Sequence, residues 1–125
     1  MIIGIGIDLV EVARIEKLIL GTDGFLERVF SKDEIAYCEK KKNRFEGYAA
    51  RFAAKEAFAK ATGLGIFGGV PMNGIYVNNL SNGSPELHFT EQAKAALLHL
   101  GNIKIHLSMS HTSELATAMV VIEKL

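Results

Sequence analysis

The chain has 125 residues, 49% of them hydrophobic, with 14 basic side chains set against 14 acidic ones. That length suits one domain spanning residues 1–125, and the apolar content excludes a disordered chain. A net charge of zero argues against broad nucleic-acid binding, which needs a basic surplus.

Ile3, Ile5, Ile7 and Leu9 alternate with Gly4, Gly6 and Asp8. The period of two predicts a strand with one apolar face and one small-residue face, and Asp8 shares the glycine face. This apolar start lacks a basic flank and is interrupted by Asp8 and Glu11, which speaks against a signal peptide. A helix is expected from Glu11 to about Leu20, stopped by Gly21. Ser31-Lys32-Asp33-Glu34 is a capping-box pattern, opening a helix to about Lys42. The run Lys40-Lys41-Lys42-Asn43-Arg44 reads as a solvated basic helix end. Cys38, the lone cysteine, cannot make an intramolecular disulfide, so nothing asks for an oxidising compartment.

Arg44 to Thr62 is alanine-rich and free of proline, and predicts the longest helix, closed by Gly63. A glycine-rich loop through Gly69 follows, then a strand around Ile75 to Leu80. Asn82-Gly83 signals a hairpin turn. Thr90 can cap a short helix from Glu91 to about Leu100. Strands at about Lys104 to Ser110 and Leu115 to Ile122 end the chain. The last is apolar on both faces, as a central or interface strand would be. No apolar run reaches the roughly 20 residues of a membrane helix. The pattern predicts a soluble, cytoplasmic α+β domain: a small, mostly antiparallel sheet with helices packed on it.

Several groups of residues could carry chemistry. Phe45, Ala49, Phe52 and Ala59 fall on one stripe of the long helix, and Glu56 lies about 20° from Phe45 around it. An ionised carboxylate there needs a cation, a metal or a proton. Two readings stand, a buried Glu paired with a lysine or arginine, and a ligand-binding acid. Asp8 adds a second acid, on a strand face that Gly4 and Gly6 leave clear for a ligand's oxygens. Two carboxylates without a histidine or cysteine cluster suit a hard cation such as Mg²⁺, which keeps waters and takes phosphate oxygens. Arg51 and Lys55, spaced i, i+4, flank Glu56 on one side and Lys60 on the other. Such cations fit phosphate oxygens, and they equally fit the polar border of an amphipathic helix.

Other strings fail. Gly63-Leu64-Gly65-Ile66-Phe67-Gly68 matches G-x-G-x-x-G but follows a helix instead of a strand, which excludes a dinucleotide fold by that route. Ser108, Ser110 and His111 lack the elbow a serine hydrolase needs. His111 reads as a turn residue or phosphate contact, and His88, His99 and His106 show no ligand spacing.

Three stretches converge on a known pattern. Gly4-Ile5-Gly6-Ile7-Asp8-Leu9-Val10-Glu11-Val12-Ala13-Arg14-Ile15 resembles the first motif of the small bacterial 4′-phosphopantetheinyl transferases. Arg51-Phe52-Ala53-Ala54-Lys55-Glu56-Ala57-Phe58-Ala59-Lys60-Ala61 resembles their second, and Ser108-Met109-Ser110-His111-Thr112 is similar to the third. Length and motif order match too, so the resemblance covers essentially the whole chain.

The resemblance implies that family's fold and a reaction of fatty acid and lipid biosynthesis. The phosphopantetheine arm of coenzyme A moves to a serine of an apo acyl carrier protein, and adenosine 3′,5′-bisphosphate leaves. It implies Mg²⁺ on Asp8 and Glu56, with Asp8, Glu56 and Lys60 as catalytic residues. Coenzyme A contacts would come from Arg51, Lys55, Lys60, Gly63, Gly65, Gly83, Pro85, His111 and Thr112. Ser84 departs from the pattern, because members often carry a basic residue before that proline. Homotrimers with sites between subunits are typical, which would account for the doubly apolar last strand. An acidic carrier would dock on cations of the first helix and beyond, namely Arg14, Lys17 and Arg28. The alternative is a non-catalytic trimer that binds coenzyme A or a nucleotide, and two acids beside phosphate argue against it.

Overall fold

A computed structural model describes residues 1–63 and 70–125. Strand β1 (Ile2–Glu11) runs into helix α1 (Val12–Gly21), followed by α2 (Phe25–Val29), α3 (Lys32–Glu39) and the long α4 (Arg44–Thr62). A 3₁₀ turn at Met72–Gly74 enters the hairpin β2 (Ile75–Asn79) and β3 (Pro85–Phe89). Helix α5 (Glu91–Ala96), a second 3₁₀ turn and strands β4 (Ile103–His111) and β5 (Leu115–Lys124) complete the order. β1, β5 and β4 form an antiparallel sheet in that order, so β5 is central as its sequence predicts. β2 and β3 form a separate two-stranded sheet. The expected α+β class with a small antiparallel sheet is what the chain adopts.

Helix α4 matches its predicted bounds, and Gly63 caps it at φ 72°. Its alanines let it lie unusually close to the sheet. A side-chain carbon at Gly4 or Gly6 would fall inside the Ala61 or Ala57 carbonyl, so both positions must be glycine. This corrects the ligand reading of that strand face: the cleared space is filled by the backbone of α4. The apolar residues opposite, Ile5, Ile7 and Leu9, are about 60% exposed in the single chain (62%, 60% and 64%), and Met119 of β5 lies exposed beside Ile7. Ala116, Ala118, Val120 and Ile122 of β5 point the other way, into the core under α4.

Local departures have simple causes. α3 stops at Glu39 instead of Lys42, before the basic run, where four cations within five residues (Lys40, Lys41, Lys42 and Arg44) would repel one another on a continued helix. The helix after Thr90 is α for Glu91–Ala96 and 3₁₀ from Leu98, and the five-residue α2 carries too short a pattern to read. The loop expected through Gly69, with Gly65, lies outside the described residues.

The capping box of α3 forms: Ser31 Oγ accepts from the Glu34 amide at 3.1 Å, and Glu34 Oε1 accepts from the Ser31 amide at 3.0 Å. The same carboxylate is buried, and it takes more. Lys55 Nζ donates to Glu34 Oε1 at 2.8 Å, and the Val77 amide donates to Oε2 at 2.9 Å. One acid therefore joins α3, α4 and β2.

Candidate active site

Asp8 projects from β1 toward α4 with its side chain 17% exposed. Lys60, one turn beyond Glu56, donates to Asp8 Oδ1 at 3.2 Å and to the Ile7 carbonyl at 2.9 Å. Thr117 of β5 secures the strand from the other side, its hydroxyl donating to the Asp8 carbonyl at 2.8 Å. Glu56 completes the group. Burial raises its pKa above the ordinary carboxylate value, the Asp8 charge raises it further, and Lys60 and Arg14 pull it back. The action of the Asp8 charge on Glu56 means that the two acids stand near one another, although they are far apart in sequence.

This donor set fits a hard divalent cation. Two carboxylates facing one another repel unless a cation intervenes, and oxygen donors are what such an ion takes. Among the described residues no third His, Cys, Asp or Glu joins them, so remaining coordination positions would fall to water or phosphate. Helix α4 is buried nearly all round. Between Tyr48 and Ala61 only Glu56 and Lys60 are not buried, so the acid stands where α4 opens toward solvent.

Lys55 must be reassigned. It is fully buried, and its ammonium donates to Glu34 Oε1, to the Met72 carbonyl at 3.0 Å and to the Ile75 carbonyl. All three donors are spent, so none is left for a phosphate. Burial lowers its pKa, opposed by Glu34. The buried acid–lysine pair that one reading placed at Glu56 thus exists, but at Glu34. Arg51 is also buried. Its Nη2 donates to Asn79 Oδ1 at 2.8 Å, its Nη1 to the Gly47 carbonyl at 3.3 Å, and its guanidinium lies 4.4 Å over the Tyr37 ring. Neither cation is among the charges acting on Glu56.

His111 ends β4, and its Nδ1 meets Glu46 Oε1 at 2.9 Å. The Thr112 hydroxyl accepts from the Glu114 and Leu115 amides at 3.2 and 3.1 Å, closing the turn to β5. His111 and Thr112 line one shallow hollow with Leu9 and Thr117, next along the sheet to Asp8. Gly83, at φ 88°, and Pro85 lie at the β2–β3 turn. Arg14 and Lys17 line a common hollow with Leu18, Gly21 and Thr22. Arg28 is not part of it, and its Nη1 folds back on the Asp23 carbonyl at 3.1 Å. Glu34, Glu46 and Asn79 escape the sequence reading. Only the capping box drew notice to Glu34, and no spacing rule links any of the three to its partner.

A sequence model described as the 4′-phosphopantetheinyl transferase superfamily matches residues 4–120. A holo-[acyl-carrier-protein] synthase of Cytophaga hutchinsonii is 48% identical over 126 residues, covering 99% of each chain. Among solved structures, a holo-(acyl-carrier-protein) synthase of Bacillus anthracis in complex with CoA (3′,5′-ADP) superimposes with a TM-score of 0.83 at 39% identity, covering 100% of this chain and 99% of its own. Holo-[acyl-carrier-protein] synthase of Neisseria meningitidis gives 0.89 at 35% identity, covering 99% and 100%. The chain belongs to the 4′-phosphopantetheinyl transferase superfamily, among its holo-[acyl-carrier-protein] synthases.

Proposed function

We propose that the chain transfers the 4′-phosphopantetheine arm of coenzyme A to a serine of apo acyl carrier protein, releasing adenosine 3′,5′-bisphosphate. The observation that carries this reading is the facing pair Asp8 and Glu56 with Lys60 between strand and helix. Asp8 and Glu56 are assigned as ligands of Mg²⁺, which when bound would offset the charge that grows on the departing phosphate. Lys60, held at the Asp8 edge and more than half exposed, is assigned to a pyrophosphate oxygen. Glu56, with its raised pKa, suits the removal of the serine proton through a water.

The nucleotide end of coenzyme A is assigned to His111, Thr112, Gly83 and Pro85, with Gly63 at the end of α4 close to the chain of the ligand. Arg14 and Lys17 are assigned to carrier docking, an electrostatic role that steers association. The exposed Ile5, Ile7 and Leu9 face supports a homotrimer with sites between subunits, because an apolar patch of this kind marks an interface. Residues 1–125 are read as one catalytic domain, acting in the cytoplasm. No helix among the described residues is long and apolar enough to cross a membrane.

The deciding experiment incubates the protein with Mg²⁺, coenzyme A and an apo carrier, followed by mass spectrometry. A carrier gaining one phosphopantetheine is the expected result. Nucleotide binding without that gain would leave a non-catalytic coenzyme A binder, and cleaved coenzyme A with an unchanged carrier would mean a hydrolase.

A further inference from the structure

Strand β2 pairs with β3 along one edge, and along the other it meets side chains in place of a strand. At its start the Ile75 carbonyl accepts from Lys55 Nζ. At its middle the Val77 amide donates to Glu34, and at its end Asn79 Oδ1 accepts from Arg51 Nη2 at 2.8 Å. Arg51 and Lys55 lie one turn apart on α4, so one helix face lashes the strand at both ends.

Asn79 alone of these contacts continues outward. Its Nδ2 donates to the Gly83 carbonyl at 3.2 Å, across the turn. One exposed side chain thus links the helix that carries Glu56 to the tip of the hairpin. The tip is held by Leu80 N to Ser84 O and Gly83 N to Leu80 O, both 2.8 Å, and by Ser84 N to Asn82 Oδ1 at 2.9 Å. With Ser84 before Pro85, this turn offers backbone groups and shape instead of a cation. Recognition of that kind depends on placement to within about 0.5 Å.

We propose that Asn79 is a positioning residue for coenzyme A: bridging buried Arg51 and the Gly83 carbonyl, it sets the β2–β3 turn at a fixed place relative to α4. The inference rests on the reading that this turn contacts the nucleotide through Gly83 and Pro85. Arg51 then acts through Asn79, as a buried strut under the hairpin.

The test uses the full chain with Asn79→Ala and Asn79→Asp. Adenosine 3′,5′-bisphosphate is titrated by calorimetry, and KM is measured separately for coenzyme A and for the carrier. Asn79→Ala is expected to weaken nucleotide binding and raise the coenzyme A KM by about 5- to 30-fold, the loss of two hydrogen bonds. The carrier KM and kcat stay near the parent values. Asn79→Asp retains the acceptor for Arg51 but not the amide donor. It should therefore melt like the parent while nucleotide affinity falls about 5-fold. Unchanged nucleotide affinity in both variants overturns the proposal. So does an equal rise in both KM values with a lowered melting temperature in the Asp variant, which would mark a merely structural residue. If the unsubstituted chain fails to load a carrier, the proposed function falls, while the nucleotide titration still reads Asn79.

Discussion

Lys60 holds β1 at two adjacent points, donating to Asp8 Oδ1 at 3.2 Å and to the preceding carbonyl, Ile7 O, at 2.9 Å. With its side chain 56% exposed, this pair contributes at most about 1 kcal/mol to stability. If Asp8 holds Mg²⁺ as proposed, the ion must share the carboxylate with the ammonium, and the two compete. Lys60→Met should therefore melt close to the parent and bind Mg²⁺ alone a few-fold more tightly. Its turnover should fall about 100-fold, the scale for removing one donor from developing charge. Calorimetry without coenzyme A and steady-state transfer assays check both halves, and weaker Mg²⁺ binding would contradict the competition.

Glu56 gives a pH prediction with a definite sign. Burial first, then Asp8, raises its folded pKa above the unfolded value. Without metal, the ionised group costs stability at high pH. That cost fades as pH falls through the folded pKa and is gone below the unfolded one. Glu56→Gln should thus melt above the parent in chelator near pH 8, with the difference closing toward about pH 4. Transfer should fall by at least about 100-fold. A variant that melts below the parent at the higher pH would show that the carboxylate is stabilising where it stands.

Lys55→Met should cost about 3–5 kcal/mol in urea unfolding, since it strands the buried Glu34 charge. Adding Glu34→Gln should recover part of that loss by removing the stranded charge. A Lys55→Met protein that unfolds like the parent but binds coenzyme A poorly would restore Lys55 to the phosphate site.

Gly6→Ala places a carbon inside the Ala57 carbonyl, and should cost about 3 kcal/mol or more while drawing Asp8 away from Glu56. Gly21→Ala is the control. Nothing lies within 4 Å of the added carbon there, so the change should stay within about 1 kcal/mol.

Ile7→Glu tests the assembly. It sets a charge amid the exposed Ile5, Leu9 and Met119, so sedimentation should show trimers for the parent and monomers for the variant. Sites built between subunits would then lose transfer. Parent protein sedimenting as a monomer would remove the trimer from the account.

The contrast between Lys55 and Lys60 shows where sequence reading reaches and where it stops. Local signals were sound: the alanine run with Gly63 bounds α4, and Ser31 with Glu34 caps α3. Asp8, Glu56 and Lys60 also meet as a group. Helical periodicity, however, assumes one apolar face, and α4 is enclosed on nearly all sides. Its cations therefore point where remote partners lie, at Glu34 for Lys55 and at Asn79 for Arg51, 21 and 28 residues away in the chain. The glycine pair misled for a related reason. A gap in side chains is legible in sequence, but what fills it is decided by packing.

The burial difference along α4 also gives the helix its own chemical reporter. Lys55 is wholly enclosed and Lys60 more than half open, five residues apart on one rigid element. An amine-acylating reagent will mark Lys60 at rates set by whatever occupies the cleft, while Lys55 stays silent until the whole domain opens. Reading the acylation of these two lysines by mass would thus follow ligand occupancy and global unfolding on separate clocks, with no residue substituted.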